Sequence, residues 1–109
     1  MKEELKQMGM YNLLKQNLKC PICSHECEME AEFKIGFMNL DTYNIGDKIK
    51  WADGLVKWGH QKRPEGGNFS GEGYVECPVC KKDFWINIII ENDIIKKVEI
   101  NLSKEGYIK

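Results

Sequence analysis

The sequence predicts a mainly β fold with an N-terminal α-helix: a small antiparallel β-sheet domain clamped by four cysteines. Two observations carry the sheet. Met29, Ala31, Phe33, Ile35 and Phe37 alternate with Glu30, Glu32, Lys34 and Gly36, the period of two that marks a strand with one face in water. Phe84 to Glu91 is strongly β-forming, and after Asn92-Asp93 a second such run follows, Ile94 to Leu102. The clamp comes from a repeated phrase, Cys20-Pro21-Ile22-Cys23 and Cys77-Pro78-Val79-Cys80. Two such turns far apart in one chain have a reason to meet if they share an ion.

Taken in order, residues 1–18 place Leu5, Met8, Tyr11, Leu14 and Leu18 at intervals of three or four, which predicts an amphipathic helix. Glu3 and Glu4 in its first turn and Lys15 and Lys19 near its end suit the helix macrodipole. Gly9 opposes the helix by about 1 kcal/mol relative to alanine. Pro21 bars its continuation. The helix is expected to pack on its own domain, or to meet a second copy or another protein through Met8 and Met10.

The strand through Met29 to Phe37 comes next. Two extended segments follow, Asp41 to Ile45 and Lys48 to Trp51, separated by Gly46-Asp47 and read as a hairpin or a bent strand. Residues 54–73 hold six glycines and Pro64 and predict a long loop. Long loops in compact domains tend to be functional or mobile. This one carries Trp58, His60, Lys62 and Arg63, the candidate partner-binding residues. Tyr74-Val75-Glu76 predicts a short strand into the second cysteine turn. Phe84–Glu91 and Ile94–Leu102 then form a hairpin about Asn92-Asp93, with Val98, Ile100 and Leu102 on one face. Residues 103–109 read as a tail.

At 109 residues the chain fits one domain, 1–109, within which residues 20–102 make up the clamped β part. Its 42% hydrophobic and 30% charged residues describe a folded protein. A formal net charge of -1 argues against a broad basic face for many phosphates. No apolar run is long enough to span a membrane, and Met1-Lys2-Glu3-Glu4 does not begin a secretion signal, so no membrane contact and a cytoplasmic location are expected. Paired Cys-x-x-Cys units in a chain of five cysteines fit metal ligation in a reducing compartment.

A Cys-x-x-Cys turn sets two sulfurs on one side of a tight loop, and two turns supply four soft ligands for tetrahedral zinc. Cys20, Cys23, Cys77 and Cys80 are therefore the candidate ligands. The competing set Cys20, Cys23, His25 and Cys27 crowds one short segment and leaves the second turn idle. Cys27 is otherwise a strand-edge thiol or a redox or metal-exchange group, and His25 a surface residue. Iron binds the same four thiolates, so zinc and iron both stand.

With these residues the chain resembles zinc-ribbon and rubredoxin-like proteins, in which two knuckles at the ends of β-hairpins clamp one ion. It is also similar to small bacterial proteins with two Cys-Pro-x-Cys turns flanking a stretch like Tyr43 to Trp51, a likeness that implies no activity. Two departures stand out. Such knuckles commonly place glycine after the second cysteine, where this chain has Ser24 and Lys81, and the 53 residues between the knuckles exceed the usual ribbon spacing.

Four thiolates leave no open coordination position, and no nucleophile elbow, phosphate-binding glycine loop or His-Glu-x-x-His helix is present. The expected function is a non-catalytic, zinc-binding interaction or adaptor module with a protein partner. The alternatives are a nucleic-acid-binding zinc ribbon and a rubredoxin-like iron electron carrier.

Overall fold

The computed structural model describes residues 11–38, 40–52 and 61–106. Six strands make one sheet: β1 (Asn12–Lys19), β2 (Glu26–Phe33), β3 (Thr42–Asn44), β4 (Phe69–Glu76), β5 (Asp83–Glu91) and β6 (Ile94–Asn101). Their order across the sheet is β3-β1-β2-β4-β5-β6. β1 and β2 form one antiparallel hairpin and β4 and β5 a second, each turning at a cysteine knuckle. Ala31–Phe33 of β2 pairs with Gly73–Val75 of β4 and joins the hairpins side by side. The two knuckles therefore arrive at the same end of the sheet.

No α-helix is present among the described residues, and the expected helix is corrected by β1. The rest of that expectation, residues 1–10, lies outside the described residues. The misreading has a physical source. Leu14 and Leu18 are four apart, which suits a helix face and equally suits the inward side of a strand. Between and before them the inward positions hold Gln16 and Asn12, so polar residues disguise the alternation. Asn12 is buried because its Nδ2 donates to the carbonyls of Ile35 and Phe37 at 3.1 and 3.0 Å. The pairing of all eight residues of β1 with β2 decides the conformation.

β2 ends at Phe33, and Ile35 continues inward before Gly36 turns the chain at φ +78°. A Cβ at Gly36 would stand 2.4 Å from the carbonyl oxygen of Lys50, so this close approach needs glycine. Asp41 to Trp51 proves to be a bent segment rather than a hairpin. β3 lies parallel to β1, the Asp47 N–H then closes a turn on the Asn44 carbonyl, and the chain crosses to the other edge of the sheet. There Gly46 N–H donates to Ile95, Ile95 N–H to Asp47, and Ile49 N–H to Asp93. One segment thus ties both sheet edges and curls the sheet around its core.

The expected loop 54–73 is corrected at its end, while residues 54–60 lie outside the described residues. A 3-10 turn occupies Glu65–Gly67, and β4 begins at Phe69. Gly71 and Gly73 made this strand look like loop. Their missing side chains admit Ile35, Ile86 and Ile88, whose atoms a Cβ would meet at 2.8 to 3.1 Å.

The core includes Leu14, Met29, Ala31, Phe33, Ile35, Tyr43, Val75 and the inward row Phe84, Ile86, Ile88 and Ile90, with Ile95 opposite. The β5–β6 hairpin forms as the sequence indicates. Asn92 and Asp93 both have positive φ, 52° and 69°, the backbone of a tight two-residue turn. One irregularity follows between Ile89 and Ile90, where Ile90 pairs with Ile95 but Ile89 with Lys97. The extra residue puts Ile95, Val98 and Ile100 on one side. Leu102, expected with them, lies beyond β6 and is 80% exposed.

In the tail, Ser103 hydrogen-bonds to the Asn101 side chain. Lys104 sits 3.8 Å from the Trp85 ring centroid and 2.7 Å from Glu72.

Candidate metal centre

Each knuckle closes on itself by the same bonds. Cys20 N–H donates to the His25 carbonyl at 2.9 Å, and Ser24 N–H returns to the Cys20 carbonyl at 2.9 Å. In the second copy Cys77 N–H reaches Lys82 at 2.8 Å, and Lys81 N–H reaches Cys77 at 3.0 Å. Ser24 and Lys81 adopt φ of 68° and 66°. The left-handed turn that glycine would favour is kept without it, at a cost of roughly 1–2 kcal/mol per residue.

Backbone amides also aim at sulfur. Ile22 and Cys23 N–H groups approach Cys20 Sγ at 3.3 and 3.4 Å, and Val79 N–H approaches Cys77 Sγ at 3.4 Å. The turns thus deliver partial positive charge to the atoms that must become thiolates.

The four Sγ atoms of Cys20, Cys23, Cys77 and Cys80 lie within 4.8 Å of one another. Across the two knuckles, Cys20 and Cys80 are 3.8 Å apart, as are Cys23 and Cys77. A tetrahedron with metal–sulfur bonds of about 2.3 Å has sulfur–sulfur edges of about 3.8 Å, so the donor set fits such an ion. Cys20 and Cys77 are buried, whereas Cys23 faces solvent.

Electrostatics separate the sulfurs. Burial opposes ionisation of Cys77, but the N–H groups of Cys80 and Val79 and the adjoining thiols outweigh it and bring the group to about 7. For Cys23 the N–H of His25 favours the thiolate, yet burial and the neighbouring sulfurs push the group up to about 11. Cys80 is raised despite the Lys82 N–H, again by burial and by Cys20. Thiols packed this closely resist shared ionisation, and a cation among them would relieve that resistance.

The local alternative built on His25 and Cys27 is not assembled. Among the described residues the tetrad is the one group of donors close enough to share an ion, and it omits both. His25 contributes its carbonyl to the first knuckle and leaves its side chain exposed. Cys27 stands opposite Leu18 and packs against the core. In the second hairpin the equivalent position, seven residues after the first cysteine, is Phe84.

The expected partner-binding residues divide. Trp58 and His60 lie outside the described residues. Lys62 is exposed where its backbone bridges to Ala52. Arg63 is engaged: its Nε donates to Asp93 Oδ1 at 2.7 Å and its Nη2 to Oδ2 at 3.1 Å. Trp51 Nε1 donates to the same carboxylate at 2.8 Å. Arg63 first, then Trp51, hold Asp93 below the usual carboxylate range, and Asp93 in turn raises Arg63.

This cluster forms one wall of a groove of about 940 Å³ that also takes in Phe37, Lys48 and Lys50. The sequence reading missed it. The one signal was the alternation Lys48-Ile49-Lys50, which sets two cations on the side opposite a buried isoleucine.

No helix among the described residues is long and apolar enough to cross a membrane. Comparison with protein-family models, curated proteins and solved structures finds no match to this chain.

Proposed function

We infer that the chain is a non-catalytic binding module in which Cys20, Cys23, Cys77 and Cys80 hold one structural zinc ion. The observation that supports this is the pair of 3.8 Å sulfur–sulfur distances between knuckles, the edge length of a tetrahedral tetrathiolate site. When bound, zinc would supply a cross-link between the two hairpins; the knuckles orient the sulfurs and direct N–H groups at them. Four protein ligands leave no place for a reacting water, which favours a structural role over a catalytic one.

The adaptor reading had two supports, the N-terminal helix and the cationic loop. Residues 12–18 of the first are strand, and Arg63 of the second is committed to Asp93. The module reading therefore rests on the clasped sheet and its surfaces rather than on those residues. Iron is the second reading, because the same donor set and its N–H···S bonds suit an electron carrier.

Metal analysis of natively purified protein, with a visible spectrum, separates the cases. About one zinc per chain in a colourless protein is expected. Stoichiometric iron with visible absorption would establish the second reading, and a folded protein purified without metal would overturn both.

A further inference from the structure

The groove at Phe37, Trp51 and Arg63 lies far from the metal centre. β5 runs from the second knuckle to the Asn92-Asp93 turn, and its nine residues separate the two ends by roughly 30 Å. Charge in the groove runs against the chain's overall balance. The groove lining holds Lys48, Lys50 and Arg63 with one carboxylate, Asp93, which Arg63 neutralises through two hydrogen bonds; Asp41, outside the lining, pairs with Lys50. The whole chain is formally at -1.

Lys48 and Lys50 flank Ile49, which is 2% exposed, so both cations project from the outer side of one extended segment. Residues two apart in such a segment are separated by about 6.6 Å. Phe37 is 38% exposed, its N–H donates to the Lys50 carbonyl at 2.8 Å, and both residues line the groove.

We propose that this groove binds single-stranded nucleic acid, with a base against Phe37 and neighbouring phosphates on Lys48 and Lys50. Aromatic rings interleaved with cations are what a single strand uses: the ring offers a stacking face to any base, and the cations follow the backbone. A strand fits better than a free nucleotide. The sequence carries no phosphate-loop motif of the G-x-x-x-x-G-K-[ST] kind, and Lys48 and Lys50 are spread along a segment rather than converging on a point. Lys50 now pairs with Asp41 at 3.2 Å, both side chains substantially exposed. Exposed pairs are weak, so a phosphate can displace the carboxylate. Two phosphate contacts give low affinity with a measurable salt dependence.

The inference does not depend on which metal the knuckles hold, and its test keeps the two questions apart. Metal-loaded protein of measured metal content and melting temperature is titrated into a fluorescein-labelled 12-nucleotide oligo(dT), with anisotropy as the readout. At 20 mM salt a Kd of about 10⁻⁴ to 10⁻⁵ M is expected. Two neutralised phosphates give a log–log slope of about -1.4, so tenfold more salt weakens binding about 25-fold.

The K48E/K50E variant should lose binding at unchanged melting temperature, and Phe37→Ala should weaken it severalfold. K96E/K97E makes the same change of net charge on β6, where both lysines are exposed, and should bind as the parent does. Absence of binding at 20 mM salt would overturn the proposal. So would equal losses in the two charge-reversed variants, or displacement of the strand by AMP at the strand's own concentration.

Discussion

The two knuckled hairpins share a turn but not a strand composition. In both, the first cysteine is buried, the residue after the second cysteine is left-handed, and the first N–H bonds five residues ahead. Beyond the turns they diverge. The second hairpin lines the core with Phe84, Ile86, Ile88 and Ile90, and the corresponding places in the first hold Cys27, Met29, Ala31 and Phe33. On the first strands Leu14 has Gly71 as its counterpart, and Gln16 has Gly73. Ligand turns are specified locally and tolerate different strands on either side. Glycine makes room for isoleucine in two directions: Gly73 admits Ile86 and Ile88 of its own hairpin, and Gly71 admits Ile35, which follows β2.

The largest expected effect tests what the hairpins have in common. Cys20→Ser and Cys77→Ser each remove one buried ligand and should cost bound metal equally. Structural zinc contributes an apparent ~10–16 kcal/mol in small metal-dependent domains. A fall in Tm of at least about 20 °C is therefore expected for either variant and for chelator-treated protein, at about 4–8 °C per kcal/mol. Calorimetry showing one serine variant unaffected would mean that its knuckle is not a ligand pair.

Core truncation tests what the hairpins do not share. Ile88→Ala should cost about 2–5 kcal/mol in chemical denaturation, because Ile88 is fully buried beside Gly73 and the neighbours cannot collapse onto a backbone that has no side chain to move. Its counterpart already is alanine. Replacing Ala31 by isoleucine should overpack the first hairpin and destabilise it by about 1–3 kcal/mol, not reproduce the second. A neutral Ala31→Ile would show that the first hairpin has spare volume.

A smaller effect belongs to Asn12, the polar member of the inward row. Asn12→Ala leaves the Ile35 and Phe37 carbonyls without its amide donor, at an expected cost of about 1–3 kcal/mol. Asn12→Leu should do no better despite its apolar side chain, and a stabilised leucine variant would contradict that account of β1. Smallest of all, Ser24→Gly and Lys81→Gly should each stabilise the metal-loaded protein by no more than about 1–2 kcal/mol, since glycine relieves the positive φ. A loss of Tm in either would assign the native side chain a contact that outweighs the backbone strain.

Local and distant determinants divide the rest of the molecule in the same way. The cysteine phrases and the Asn92-Asp93 turn could be read because a few consecutive residues determine each geometry. The alternation from Met29 to Ile35 could be read because every inward side chain is apolar. β1 was misread because two leucines four apart satisfy both periods and Asn12 interrupts the pattern. β4 was read too short because glycine in a strand has the composition of a loop. Arg63 was assigned to a partner surface, but Asp93, its own partner, lies thirty residues away.

Neighbouring residues alone specify the ligand turns, the β5–β6 hairpin and the apolar row that covers the core, since each rests on local stereochemistry. Tertiary structure decided that residues 12–19 are extended, that glycines at 71 and 73 sit under isoleucines, and that one bent segment joins both sheet edges. It also decided where Phe37, Lys48 and Lys50 come together. These features depend on hydrogen bonds and packing between residues far apart in the chain, and no local pattern encodes which distant strand will supply them.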